Sequence, residues 1–324
     1  METAKILQAF GFRAPCTACT RLTGGHVHAT WRLDTAGGSL ILQEVRHEDP
    51  AALMEHTARL SAHLRGRQRF RIPQYYCTAE GPLYEGRFRL MDCIPGEPVS
   101  ADAPPEQIEA AGLAFGCFDA ALCGLEGLPE VYPGLHDTRA YLRRLHSLTL
   151  PEQYAGLLHA VQLLEKDACR LWEQQTQGLL PLRTVHGDTK GSNVLLDGAN
   201  AAVIDLDTAG KGLIAYDYGD GIRSLAQHGG VLDPERFRAF TKGFLRGMRY
   251  LTDEEIASLV PGICCITTEL AVRYLIDLAE GCSYFGKTPE QTAERVRELL
   301  SFASAITEHE NELQSEVQSL CSRE

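Results

Sequence analysis

A run of polar and acidic residues set between short apolar stretches constrains this chain more than any other feature. Val185-His186-Gly187-Asp188-Thr189-Lys190-Gly191-Ser192-Asn193 leads into Val194-Leu195-Leu196-Asp197, and Ala202-Val203-Ile204-Asp205-Leu206-Asp207 follows after a short loop. The stretches 182–186, 193–197 and 201–206 have the length of short buried strands. Asp188 and Asn193 therefore share one loop, and Asp205 ends the adjacent strand. An Asp and an Asn in that arrangement can supply an acceptor for a hydroxyl proton and one oxygen ligand for Mg²⁺. A second Asp completes the protein's share of the shell, because Mg²⁺ takes one or two carboxylates together with phosphate oxygens and water. Asp207 has two readings, a second metal contact or a loop anchor.

Around this cluster the chain changes character once. The first ninety residues read as short strands, 17–23, 27–34 and 39–45, punctuated by Gly24-Gly25 and Gly37-Gly38, with two more near 74–79 and 86–92. A helix is predicted from Asp49-Pro50, an N-cap followed by proline at the first helical position, with Leu53, Thr57, Leu60 and Leu64 on one face. Met91-Asp92-Cys93-Ile94-Pro95-Gly96-Glu97-Pro98 reads as a connector. Beyond it helices are predicted at 104–124, 138–148, 152–177, 233–248, 252–280 and 289–312, with a frayed tail at the end. The expectation is an α+β chain in two lobes: a small antiparallel sheet over 1–93, a hinge near 91–97, and a larger, mainly helical lobe over 98–324.

Composition excludes more than it identifies. A formal net charge of -12 argues against a nucleic-acid or anionic-membrane surface. No run of about 18 uninterrupted apolar residues appears, and the N-terminus lacks the apolar core of a secretory signal. A cytoplasmic protein, monomeric or homodimeric, is expected, and its 11 cysteines read as reduced thiols. Cys16-x-x-Cys19 with His26 and His28 can be written as a zinc set, but the spacing is incomplete.

His186-Gly187-Asp188-x-x-x-x-Asn193 followed by Ile204-Asp205 resembles the catalytic loop and metal-binding strand of aminoglycoside phosphotransferases and choline kinases and, more distantly, of protein kinases. The resemblance implies a two-lobe, protein-kinase-like fold that uses ATP and Mg²⁺. Asp188 would be the base, and Asn193 and Asp205 the metal ligands, with Asp207 a further candidate. Shorter pieces resemble bacterial N-acetylhexosamine 1-kinases, which phosphorylate the anomeric hydroxyl of an amino sugar. They are Thr23-Gly24-Gly25-His26-Val27-His28-Ala29-Thr30, Leu42-Gln43, Leu135-His136-Asp137-Thr138, Tyr216-Asp217-Tyr218-Gly219-Asp220-Gly221-Ile222-Arg223 and Arg273-Tyr274-Leu275. A small-molecule acceptor is implied, a sugar first; an aminoglycoside, choline or homoserine would keep the fold. A nucleotide-binding regulatory module without turnover is the reading from another class, and the presence of Asp188, Asn193 and Asp205 counts against it.

The same resemblance assigns the remaining candidates. Gly24 and Gly25 would cover the ATP phosphates, with His26 or Arg46 adding positive charge, although two adjacent glycines alone also describe a hairpin turn. Gln43 stands where relatives usually carry a Lys or Arg, so Glu55 is not assigned an ion pair with that position. Met91, Asp92 and Cys93 would offer backbone hydrogen bonds to adenine. Arg273, Asp277 and Tyr284 would contact the acceptor, though Arg273 and Asp277 are also spaced as an i,i+4 pair. Asp137 reads as a helix cap, and Asp217 and Asp220 as caps of a following helix that brace the loop. Gly281-Cys282-Ser283-Tyr284-Phe285-Gly286-Lys287-Thr288 matches a P-loop letter for letter, but a helical pattern precedes it where that motif needs a buried strand.

Overall fold

Alternating apolar residues build a four-stranded antiparallel sheet in the order β1 (Cys16–Leu22), β2 (Ala29–Thr35), β3 (Gly38–Glu44), β4 (Phe88–Asp92). The computed structural model describes residues 3–22, 27–66, 70–82 and 84–321. Leu33, Leu40, Leu42 and Leu90 share one face of the sheet and pack on Ile6, Leu7 and Phe10, which α1 (Thr3–Ala9) and the turn after it supply. Successive strand residues face opposite ways. Leu42 opposes Leu90 on that apolar face, so the next pair, Gln43 opposite Arg89, points to the other side, toward the cleft. The expected strand at 74–79 is reduced to a single bridge between Tyr75 and Met91, because the Thr78 N–H turns away to the Pro82 carbonyl.

On the cleft side lies α2 (Pro50–Leu64). Asp49 accepts from the Ala52 N–H at 3.0 Å, as its N-cap position requires, and Leu53, His56, Thr57, Leu60 and Leu64 are buried. The chain then crosses over after β4. β5 (Glu97–Pro98) pairs with β7 (Val194–Asp197) of the helical part, and β7 pairs with β8 (Asn200–Val203). β6 (Arg183–Val185) pairs with β9 (Gly210–Gly212). These two small sheets hold both ends of the loop that carries Asp188. The architecture is the two-lobe α+β fold: a small sheet lobe and a larger lobe of helices.

The larger lobe comprises α3 (Pro105–Ala121), α4 (Thr138–Ser147), α5 (Ala155–Thr176), α6 (Ile214–Leu225), α7 (Pro234–Gly247), α8 (Asp253–Ala279), α9 (Pro289–Glu308) and α10 (Glu310–Cys321). Its centre is α8, capped by a Thr252/Glu255 capping box and buried along most of its length. This helix is long and apolar enough to cross a membrane, but 83% of its most apolar window is buried inside the protein.

Two expectations fail here. Asp217 and Asp220 lie within α6 and do not cap a later helix. The expected tail is α10, whose Leu313 and Val317, one turn apart, are buried against the core.

Helices α3 and α7 cross through glycine at both surfaces. A methyl at Gly243 would fall 2.0 Å from the Glu109 carbonyl oxygen, and one at Gly112 would fall 2.3 Å from that of Phe240. Backbone atoms cannot yield as a side-chain tip can. Gly243→Ala is therefore expected to cost about 1–3 kcal/mol, the usual range for overpacking, and to lower the melting temperature by a few degrees. An unchanged melting temperature contradicts this packing.

Candidate active site

β6 delivers the chain to His186, which is fully buried with its ring 5.6 Å from Phe115 and 5.1 Å from Phe118. Nδ1 accepts from the Asp188 N–H (3.2 Å), so Nε2 carries the proton and donates to the Ile204 carbonyl (3.1 Å). Burial lowers the His186 pKa and keeps the ring neutral. Gly187 has φ +80, and a Cβ there would lie 2.7 Å from the Thr208 carbonyl oxygen, so only glycine fits. From α6, Asp217 accepts the N–H groups of His186 (2.7 Å) and Gly187 (2.9 Å). Asp119 of α3 approaches the same His186 N–H at 3.3 Å. Burial raises Asp217 to about 7, and burial with the neighbouring Asp217 charge raises Asp119 well above the ordinary carboxylate range. The two carboxyls lie together beneath the loop, both harder to ionise than an ordinary carboxylate.

Asp188 is thereby turned into the cleft, its side chain 27% exposed. Its Oδ2 accepts from Lys190 Nζ at 2.5 Å and from Asn193 Nδ2 at 2.9 Å, while Oδ1 has no donor among the described residues. Burial alone would raise its pKa; the Lys190 charge overcomes this and keeps the carboxylate ionised. Asn193 Nδ2 also donates to the Asp188 carbonyl (2.8 Å), and its Oδ1 has no donor among the described residues. The Ile204 N–H donates to the Asn193 carbonyl at 2.9 Å, so Asp205 follows directly beside that amide. Asp205 adopts a left-handed conformation, φ 60 and ψ 59, and opens to the cleft. The protein crowded around its carboxyl, and then the charges of Asp207 and Asp188, push its pKa up to about 6. A carboxylate destabilised by like charges beside a free amide oxygen suits Mg²⁺. No group of three His, Cys, Asp or Glu side chains capable of holding a metal occurs among the described residues. Phosphate oxygens and water would complete such a shell.

In this structure Asp207 is engaged as a loop anchor. Its Oδ1 and Oδ2 each accept from Arg89, at 2.7 Å and 2.7 Å, and Oδ2 also accepts from His28 Nε2 at 2.8 Å. Both lobes thus meet on one carboxylate. Gln43 is drawn into the same cluster, since its Oε1 accepts from Arg89 Nε (2.9 Å) and its Nε2 donates to Thr30 (3.2 Å). His28 has both ring nitrogens engaged, Nδ1 with the Arg46 N–H, which leaves none for zinc. Gly24, Gly25 and His26 lie outside the described residues. In the connector, the Asp92 N–H goes to the Gln74 carbonyl and the Cys93 N–H to the Ser39 carbonyl, while Met91 is buried. The donors expected from Asp92 and Cys93 are therefore used inside the small lobe. Glu55 pairs with Arg59 on the exposed side of α2.

On the acceptor side, Arg273 lies 5.5 Å from the centre of the Tyr141 ring and pairs with no carboxylate among the described residues. Asp277 does not bind it. Its two oxygens accept the N–H groups of Tyr284 (2.8 Å) and Phe285 (3.1 Å), which fixes the turn after α8 and occupies both oxygens of Asp277 there. The same bonds occupy amides that a P-loop would need, and Thr288 is spent in the capping box of α9. Tyr284 is 52% exposed. It lies within electrostatic reach of Arg273, Tyr141 and Tyr132.

Glu269, the nearby acid on α8, is consumed by His136 (2.8 Å) and Thr138 (2.6 Å), and His136 Nε2 donates to the Gly187 carbonyl at 2.8 Å. Both imidazole nitrogens donate, so His136 is a cation. Burial would lower its pKa, but the Glu269 charge outweighs burial and pushes it up to about 9. Asp137 caps α4 by accepting from the Ala140 N–H.

Residues 18–252, more than two thirds of the chain, match the phosphotransferase enzyme family. The chain belongs to that family. Solved structures show the same fold. A microcompartment-associated aminopropanol kinase, 15% identical, superposes with a TM-score of 0.68 over 92% of this chain and 93% of its own. An amicoumacin kinase solved with AMP-PNP, Ca²⁺ and amicoumacin, also 15% identical, gives 0.64 over 94% and 92%. The choline kinase of Cryptosporidium parvum, 10% identical, gives 0.61 over 94% and 92%.

Arg89, Lys190 and Glu269 escaped the sequence reading of this phosphotransferase. Lys190 lies inside the catalytic run itself. The signal for Arg89 is a lone cation in an apolar strand, Phe88-Arg89-Leu90-Met91.

The His136–Glu269 pair has a pH signature. The folded pKa of His136, about 9, lies above the ordinary 6.5. Its stabilisation is therefore complete below about pH 6.5 and lost as pH rises through 9. Glu269→Gln should cost about 2 kcal/mol at pH 7. The gap in melting temperature between wild type and variant should close above pH 9. A gap independent of pH contradicts the charged pair.

Proposed function

We propose that this phosphotransferase is an ATP- and Mg²⁺-dependent kinase acting on a hydroxyl of an uncharged, polyhydroxylated small molecule, with the anomeric hydroxyl of an N-acetylhexosamine the first choice. The observation that carries the acceptor class is the charge balance beside Asp188. Arg273 makes no ion pair among the described residues, Glu269 is paired with His136, and Asp277 is spent on a turn. A cationic acceptor such as choline or an aminoglycoside needs free carboxylates, and this side of the cleft offers none among the candidate residues. Tyr132, Tyr141 and Tyr284 supply aromatic faces, and a guanidinium fork suits hydroxyl and amide oxygens.

Mg²⁺-bound ATP would supply the phosphoryl group and the charge neutralisation that in-line transfer requires. The chain's own residues do the rest. Asp188 Oδ1 accepts the proton of the attacking hydroxyl. Lys190 keeps that carboxylate ionised, and with Asn193 it fixes its orientation. Asn193 Oδ1 and the Asp205 carboxylate would hold the metal. Arg273 orients the acceptor, and Tyr284 covers it. Adenine would lie against the connector, its amino group donating to a connector carbonyl and its ring nitrogen accepting from an N–H group beyond Cys93.

Three measurements test this. Asp188→Ala should lower kcat by about 10²–10⁴ with ATP affinity little changed. Arg273→Ala should reduce kcat/KM for the acceptor by about tenfold or more while sparing the KM for ATP. ATP consumption should appear with free N-acetylhexosamines or hexoses. Turnover confined to choline, ethanolamine, aminopropanol or aminoglycosides contradicts the neutral-acceptor reading.

A further inference from the structure

Arg89 is 1% exposed, in the middle of a strand whose other inward residues are apolar. A buried ion pair gives little net stability over an apolar pair of similar volume. What it does give is a fixed geometry, and here the geometry has a direction. The guanidinium grips Asp207 with two nitrogens and Gln43 with the third, and Gln43 passes the linkage to Thr30. One hydrogen-bonded line therefore runs from β2 through β3 and β4 to a residue two positions past Asp205. The turn that follows Asp205 is held at two further points. His28 donates to Asp207, and His56 of α2 donates to the Ala209 carbonyl at 2.6 Å. Asp205 itself is a non-glycine residue at φ 60. That backbone state persists only where the surroundings impose it.

We propose that Arg89 is the positioning residue of the metal site: by clamping Asp207 it fixes the left-handed turn at Asp205 and ties the metal ligand to the small lobe. The cation that organises this cleft thus comes from β4, directly across the strand pair from the neutral Gln43 of β3. This rests on Asp205 as the metal ligand.

The test is titration calorimetry of AMP-PNP with and without Mg²⁺, which needs no turnover. The variant is Arg89→Gln with Asp207→Asn, which removes both charges at once and leaves neither buried alone. The gain in AMP-PNP affinity on adding Mg²⁺ should fall about tenfold or more, with metal-free affinity unchanged. Exchanging the pair, Gln43→Arg with Arg89→Gln, should restore most of the gain, because the two side chains share one face of the sheet. A Mg²⁺ gain equal to wild type in the neutral variant overturns the proposal. If circular dichroism shows that variant unfolded, Arg89→Lys decides. A reduced gain supports the clamp, and a wild-type gain refutes it. Asp205→Ala separates the two levels of the argument. If it loses the Mg²⁺ gain while the neutral variant keeps it, the clamp alone is wrong. If neither loses it, the metal assignment is wrong as well.

Discussion

Three carboxylates, those of Asp188, Asp205 and Asp207, converge on one edge of the interlobe cleft, and like charges so placed cannot all remain ionised unaided. The structure treats each differently. Asp188 is held by Lys190, and Asp207 by Arg89 and His28. Asp205 has no ion pair among the described residues, and burial, then the charges of Asp207 and Asp188, push its pKa up to about 6. Two negative charges are thus compensated by the protein and one is left for an incoming cation. The proposed division of labour between proton acceptor, metal ligand and anchor follows from which carboxylate has a protein cation beside it. Residue type alone would not separate them.

The loop that carries Asp188 is braced from below by a second set of ionisable groups. Asp217 and Asp119 share the amide of His186, and His136 takes the Gly187 carbonyl while held by Glu269. Each of these groups has a partner within the protein, and the contacts that make the loop rigid leave none of them as an ion-pair partner for Arg273.

Much of the architecture was legible because it rests on local chemistry. Asp49-Pro50 starts α2, and β1, β2 and β3 fall within two residues of their expected places. The convergence of Asp188, Asn193 and Asp205 was readable from their positions on a loop and an adjacent strand end. What was hidden depended on partners distant in sequence. In α6, Gly219 and Gly221 resemble loop residues, yet Gly219 is there so that α8 can approach and Gly221 so that a side chain of α7 can. A Cβ at 219 would meet the Gly262 backbone at 2.6 Å, and one at 221 would meet the Phe240 ring at 2.1 Å. Arg273 and Asp277 have helix-pair spacing, but the turn after α8 competes for Asp277 and wins with two amides. Arg89 lies 118 positions from Asp207. No local pattern reports that a lone arginine in a strand is the centre of a buried cluster.

A crystal structure of the protein with Mg²⁺ and AMP-PNP tests the central claim most directly. The account requires the metal at about 2.1 Å from Asn193 Oδ1 and an Asp205 oxygen, with Asp207 still gripped by both arms of Arg89. A metal seated on Asp207, with Arg89 swung away to the phosphates, would contradict it.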